Sequence, residues 1–396
     1  MSIKRILPHS LKTCFKDLLG IDRVQREMSH WESAHESTKG QVKQLTDRLA
    51  CLESVAGFAK NIDLLHVDDF FHFVYDDDLA HRVFPPETWR QHTRLSPIEI
   101  SSLVADARTS AARRDLHRTD AVARSLWSLA KSGQRVNLLY VGCNYGFHLM
   151  KLTDFILKRK LNCRVVAFDP GIAGTLAAPT FRLNQLHNIE FYNIAASCAN
   201  SHAIMQHIVG HSEDNKLVNI VDSPLRISRL VETVTIDTFC AQHGIAGPTV
   251  LVIDTQGNEP DVIAGSAQFL KDNVCVIVSE FTPWAVAARM SAQEYLALLS
   301  TYGVVYNLGE VDQQAARVED AAVSLSTAGE TASPLPSLLR ERVAAENRAD
   351  FSTRILNEPP HWTDVLVIPD NHGLGRLVAD DFHVADAFSA RIGEAA

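Results

Sequence analysis

The sequence predicts an α/β fold, a mostly parallel sheet with helices on both faces, filling the middle and later part of a 396-residue chain. Three observations predict it. Short apolar runs alternate with stretches of helical periodicity from Val136 to Ile368, the pattern that successive strand–helix units leave in a sequence. Small residues follow the first run, at Gly142 and Gly146, where a strand must turn tightly into a helix. Carboxylates end later runs, at Asp169, Asp254 and Glu280, and such sheets bind ligands outside the carboxyl ends of their strands.

Taken in order, residues 136–141 read as a strand, 147–158 as a helix, 164–168 as a strand, 175–186 as a helix and 189–194 as a strand. After a long interval, 249–254 reads as a strand and 261–270 as a helix. Residues 274–280 form the next strand, 292–301 a helix, 304–308 a strand, and 364–368 a late returning strand. The domain carrying them runs over about 133–370. It contains an Ala-, Ser- and Thr-rich insertion at about 313–337, read as flexible, and a tail at 371–396 without a strong pattern follows.

Two regions precede this domain. Over residues 1–60, Ile21, Val24, Met28, Trp31, His35, Thr38, Val42, Leu45, Leu49 and Leu52 alternate steps of three and four. That spacing is an a/d seam, weakened at His35 and Thr38, and it predicts a coiled coil that joins copies of the chain; one amphipathic helix packed on its own domain is the alternative. Upstream, Lys4, Arg5, Lys12 and Lys16 interleave with apolar residues. Such a segment either docks within the protein or lies on an anionic membrane surface. Residues 61–132 read as a helical linker or cap. Within it, His66, His72, Asp76, Asp77, Asp78 and His81 are dense in metal-ligating types, but no ligand spacing sets a geometry, so a solvated surface segment is expected and no metal.

Composition narrows the function. A formal net charge of −9 offers no global attraction for nucleic acid. No apolar run reaches the roughly 18 residues of a membrane span. Seven scattered cysteines without a CxxC pair argue against a disulfide framework and fit a reducing compartment, so the expected location is cytoplasmic, with the inner membrane face as an alternative.

The chemistry sits at the strand ends. Gly142, Asn144 and Gly146 lack GxGxxG spacing, so a dinucleotide fingerprint is not expected there. Asp169 comes about twenty positions later, at the next strand end, where a carboxylate suits ribose hydroxyls; capping the next helix is the other reading. The densest stretch runs from Leu251 to Ser266. It delivers Asp254 to a strand end, turns through Gly257 and opens a helix with Glu259 and Pro260. Two carboxylates on one turn are costly unless one is protonated, paired or engaged with a cation; as an alternative, both cap the helix.

Over about Val136 to Ile368 the chain resembles the FkbM family of S-adenosylmethionine-dependent methyltransferases. Four segments carry the resemblance, in order: Val141-Gly-Cys-Asn-Tyr-Gly-Phe, Ala167-Phe-Asp-Pro, Thr233-Val-Thr-Ile-Asp-Thr-Phe, and Val252-Ile-Asp-Thr-Gln-Gly-Asn-Glu-Pro-Asp-Val-Ile-Ala-Gly265. The departures are Cys143 where alanine is commoner, Asp169 for the more usual glutamate, and Val252 for lysine. The resemblance implies a class I, Rossmann-like methyltransferase fold that binds S-adenosyl-L-methionine. Gly142, Asn144 and Gly146 would line its methionine and adenosine side, Asp169 its ribose, and Ala195 its adenine, with Asp254, Glu259 and His148 around the transferring methyl. Family members methylate diverse acceptors. The expectation is an O-methyltransferase of a sugar or cell-surface glycan hydroxyl; a polyketide, peptide or lipid acceptor, or a non-catalytic assembly protein, are the rivals. Such a hydroxyl is a weak acid and needs a nearby base, for which Glu259 is the first candidate and His148 the second. Asp254 then positions the cofactor or the base.

Overall fold

The computed structural model describes residues 62–67, 70–75, 116–208, 216–218, 226–273, 275–308, 339, 341–357, 361–370, 373–382 and 384. The heptad seam of residues 1–60, the basic segment upstream and the insertion at 313–337 lie outside the described residues.

The strands, in chain order, are β1 (Ile62–Val67), β2 (Phe70–Tyr75), β3 (Val136–Val141), β4 (Cys163–Phe168), β5 (Ile189–Tyr192), β6 (Ala195–Ala196) and β7 (Ser201–Ile208). They continue with β8 (Lys216–Val218), β9 (Arg226–Val234), β10 (Thr249–Ile253), β11 (Cys275–Phe281), β12 (Val304–Asn307), β13 (Glu341–Arg342) and β14 (Thr363–Ile368). β3, β10, β11 and β14 are buried along their whole length. Strands covered on both faces need apolar residues at consecutive positions, which is why their runs stand out in the sequence.

These strands form an eight-stranded sheet in the order β13-β12-β14-β11-β10-β3-β4-β5. From β11 to β5 every neighbouring pair is parallel. β14, the late returning strand, inserts between β11 and β12 and runs antiparallel to both, and β13 is antiparallel to β12. The mostly parallel sheet of the sequence reading is therefore parallel in one half and mixed in the other. Hydropathy does not separate the two, because a buried strand reads alike in either direction.

Alternate residues of each strand supply two separate cores. Leu138 and Tyr140 of β3 pack on one face with α1 (Leu116–Ala130), α2 (Phe147–Lys158), α3 (Ile172–Leu183) and, from the C-terminal stretch, α10 (Gly373–Asp381). Leu139 and Val141 pack on the other face with α4 (Ile236–His243), α5 (Glu259–Ala264), α6 (Ala267–Asp272), α8 (Ala292–Leu299) and α9 (Arg348–Asn357). Among the described residues no helix is long and apolar enough to cross a membrane.

Three parts of the chain differ from the sequence reading. β1 and β2 form an antiparallel hairpin that pairs His66 with Phe71 and Leu65 with His72, where a helical linker was expected. Phe70 enters the same core as α1, and β2 lies against α3, so tertiary packing sets this segment's conformation rather than its periodicity. The tail holds α10, whose Asp381 accepts from Lys131 at 2.6 Å and from Ser128 at the end of α1. Between β5 and α4, where the sequence showed no regular element, β6, β9, β7 and β8 form a four-stranded sheet in that order. Its strands are short or half polar, with Leu230 and Glu232 outward and Val231 and Thr233 inward, so they lack the continuous apolar run that marks the main sheet.

Candidate active site

The order of the main sheet reverses between β3 and β10. β4 and β5 step away in one direction, β10 and β11 in the other, and the switch point outside the carboxyl ends of β3 and β10 is where such sheets form their ligand crevice. The turn leaving β3 is tight against its neighbour. Gly142 has φ 85°, and a Cβ built there would lie 1.7 Å from the Asp254 carbonyl oxygen, so only glycine fits. The Gly142 N–H donates to the Phe168 carbonyl at 2.8 Å, and the Asp254 N–H to the Val141 carbonyl at 2.9 Å. The ends of β3, β4 and β10 are thereby laced together.

Asp169 fastens one wall. Its Oδ2 accepts the Asn144 N–H at 2.6 Å and its Oδ1 the Gly171 N–H at 2.7 Å. Asn144 takes the left-handed region, φ 51°, which asparagine tolerates better than most residues and which turns its N–H to the carboxylate. Burial pushes the Asp169 carboxyl up to about 6, against the two N–H donors that favour its charged form.

The other wall is rich in carboxyl groups. Asp254 follows β10 and keeps 23% of its side chain exposed. Its Oδ1 accepts the Gln256 side-chain amide at 3.0 Å, and the same Nε2 donates to Glu280 Oε2 at 2.9 Å. Gln256 has φ 56°, uncommon for a residue with a Cβ. Glu280 is the penultimate residue of β11, 8% exposed, and pairs in register with Asp364 of β14. Like charges directly opposite each other in a sheet are destabilising. Two features relieve the clash. Burial and the neighbouring Asp254 charge hold the Glu280 carboxyl well above the usual range, favouring its neutral form. Arg118 of α1 meets Asp364 through Nε at 2.9 Å and Nη2 at 2.8 Å, and reaches Asp254 Oδ2 through Nη1 at 2.5 Å.

Glu259 sits at the start of α5 but is turned into its own loop. Oε1 accepts the Thr255 N–H at 2.8 Å and the Thr255 hydroxyl at 3.0 Å; Oε2 accepts the Gly257 N–H at 2.8 Å. The side chain is 2% exposed, and burial pushes its carboxyl up to about 7. The loop it closes is fixed from the far side too. Gly257, at φ 102°, packs its Cα against the chain of α7 (Pro283–Val286), where a Cβ would come 2.6 Å from the Ala285 carbonyl oxygen. α7 carries Trp284, one of the few large apolar side chains left exposed among the described residues.

The remaining sequence candidates fall as follows. His148 lies in the first turn of α2, its Nδ1 3.1 Å from the Thr119 hydroxyl of α1. Ala195 opens β6, buried against Met205 and Val231 of the smaller sheet. Gly142, Asn144 and Asp169 meet at one wall, and Asp254 stands at the other. Arg118, Gln256 and Asp364 were given no role by the sequence reading. Arg118 and Asp364 carried a weak signal at best, since each is an ordinary charged residue far in sequence from the strand ends it joins.

Residues 141–306 match the family model described as the Methyltransferase FkbM domain. No curated protein and no solved structure matches the chain.

Proposed function

Proceeding from the FkbM methyltransferase domain of residues 141–306, we propose that the protein is an S-adenosylmethionine-dependent O-methyltransferase acting on a sugar or glycan hydroxyl. The observation that carries this reading is the carboxyl pair Asp254 and Glu280, bridged by Gln256 at the carboxyl ends of two adjacent parallel strands.

The donor set fits the cofactor chemically. Asp169, with the Gly142, Asn144 and Gly146 turn, offers an anion and close backbone approach for a ribose, and Ala195 would flank the adenine. A wall with more carboxylates than cations suits a positively charged ligand. When bound, S-adenosylmethionine supplies a methyl group already activated by its sulfonium.

The protein's own work is to hold an acceptor oxygen in line and to take its proton. Glu280 is the base in this reading. Gln256 occupies Oε2, and Oε1 is the atom that receives the proton. A carboxylate raised by burial is a stronger base than a solvated one, so it suits a weakly acidic hydroxyl. Glu259, the sequence's first choice, serves the loop instead, because proton transfer would compete with three bonds that shape residues 255–257. Asp254 keeps its positioning role, and His148, beside Thr119 of α1, stands as a second group. Trp284, exposed on the helix that abuts the Gly257 loop, supports a ring-shaped acceptor, which can lie against an indole face.

The test is transfer of labelled methyl from S-adenosylmethionine to a panel of glycan, lipid, peptide and polyketide hydroxyls, alongside calorimetry of cofactor binding. Transfer to glycans is expected; transfer confined to another class reassigns the acceptor, and absence of cofactor binding overturns the whole reading. Assembly through residues 1–60 is a separate proposal. Deleting residues 1–55 is expected to convert oligomers to monomers by light scattering.

A further inference from the structure

Arg118 lies outside the segment that matches the family, in the third residue of α1, yet it is 2% exposed and faces the carboxyl cluster. Each arm of the guanidinium is committed. Nε and Nη2 take Asp364 Oδ1, and Nη1 takes Asp254 Oδ2. Asp254 in turn shares the Gln256 amide with Glu280, so one chain of contacts runs Arg118–Asp254–Gln256–Glu280. Asp364 also lies outside the matched segment and enters on β14, in register with Glu280. Two elements beyond the family segment thus close the acceptor wall from one side.

We propose that Arg118 is a positioning residue for methyl transfer, holding Asp254 and, through Gln256, the Glu280 carboxyl in place at the acceptor wall. The proposal rests on the reading of Glu280 as the base. Lysine is a poor substitute here, since a compact ammonium lacks the planar fork that meets two carboxylates at once.

The geometry gives the role a signature in pH. The charged groups facing Glu280 are Asp254 beyond β10, Glu259 on α5, Asp364 on β14 and Arg118 on α1. Arg118 is the cation of this set, and it lowers the Glu280 carboxyl, whereas Asp254, Glu259 and Asp364 raise it. A base acts only when deprotonated, so turnover falls on the acid side of the Glu280 titration. Removing Arg118 moves that limb to higher pH; removing the Asp254 charge moves it to lower pH.

The experiment measures kcat against pH, and cofactor affinity by calorimetry, for the full chain and for Arg118→Met, Arg118→Lys, Asp254→Asn and Glu280→Gln. Arg118→Met is expected to lower kcat by about ten- to a thousandfold and to move the acid limb up by about one pH unit, with cofactor affinity within about twofold of the parent. Arg118→Lys is expected to keep most of the limb position but lose about tenfold in kcat. An unmoved limb in Arg118→Met, with kcat falling only in proportion to folded protein, overturns the proposal. If Arg118→Met does not fold, Arg118→Lys decides: full kcat in that variant overturns it equally. Glu280→Gln separates the two claims. Full turnover there removes the base and with it this inference, whereas a dead Glu280→Gln beside silent Arg118 variants sinks the inference alone.

Discussion

The two walls of the crevice are built on different plans. On the β3–β4 side, one carboxylate, Asp169, organises backbone N–H groups from residues 25 and 2 positions away, at Asn144 and Gly171. On the β10–β11 side, Asp254, Glu280 and Asp364 are brought together with Arg118, and the ion pairs join residues 136 and 246 positions apart. The first wall is local and lies inside the segment that defines the domain. The second depends on α1 and β14, which lie outside that segment. In this arrangement the wall that would hold a common cofactor is written locally, and the wall that would meet the acceptor is assembled from the periphery of the fold, where loops and added elements differ most readily.

Substitutions at the two walls should therefore separate catalysis from cofactor binding. The largest effect is expected at Glu280→Gln, which keeps the side chain's size and a partner for Gln256 but removes the base. Loss of a general base costs about a hundred- to ten-thousandfold in rate, and cofactor affinity by calorimetry should change little. A variant with near-normal kcat would place proton removal elsewhere in the crevice. Asp169→Asn should do the reverse. Hydrogen bonds to a charged group contribute roughly 1.5–3 kcal/mol, so cofactor affinity should weaken by about ten- to a hundredfold, while kcat at saturating cofactor stays within a few fold. The parent has a pH dependence that the variant lacks. Since burial raises Asp169 to about 6, its carboxylate gains a proton as the pH falls through that value, and affinity should fall with it. Titrations at pH 5 and 8 that give equal affinities for the parent would detach Asp169 from the ribose.

Most of the main sheet was legible because buried strands need consecutive apolar residues, and seven of its eight strands begin and end within a few residues of their apolar runs. The Gly142 turn, Asp169 and Asp254 were legible for a related reason: a strand end fixes where the next few side chains point. The smaller sheet was not, since its strands bury one polar-flecked face. The role of Glu259 was not legible, because its spacing from Asp254 suits both a base and a loop clamp, and only the direction of its two oxygens, toward Thr255 and Gly257, bears on the choice. Arg118 and Asp364 became visible only when β14 was found beside β11, a pairing between segments more than eighty residues apart with no local mark.

The smallest effect, and the most informative about the turn between the walls, is expected at Glu259→Gln. A carboxylate can accept at both oxygens, and here it does, from Thr255 and from Gly257. An amide keeps one acceptor and turns an NH2 group toward the other donor. That loses a hydrogen bond in a buried loop, at about 1 kcal/mol or somewhat more. The parent's own stability depends on pH at this residue. Its folded-state carboxyl is raised from 4.5 to about 7, so the folded chain binds the proton more tightly than the unfolded one. That contribution is fully present below 4.5 and is lost as the pH rises through about 7. Glutamine does not titrate, so the stability gap between parent and variant should be widest near pH 5 and narrow by pH 8, read by denaturant unfolding at both. The acid limb of kcat should move slightly to lower pH, since the Glu259 charge is one of those that raise the Glu280 carboxyl. Turnover on the plateau should stay near the parent's in the reading that Glu280 takes the proton. A gap that widens with pH would mean that the clamp works best as a charged carboxylate. Loss of plateau turnover beyond the loss of folded protein would return Glu259 to the chemistry and leave Glu280 as its neighbour.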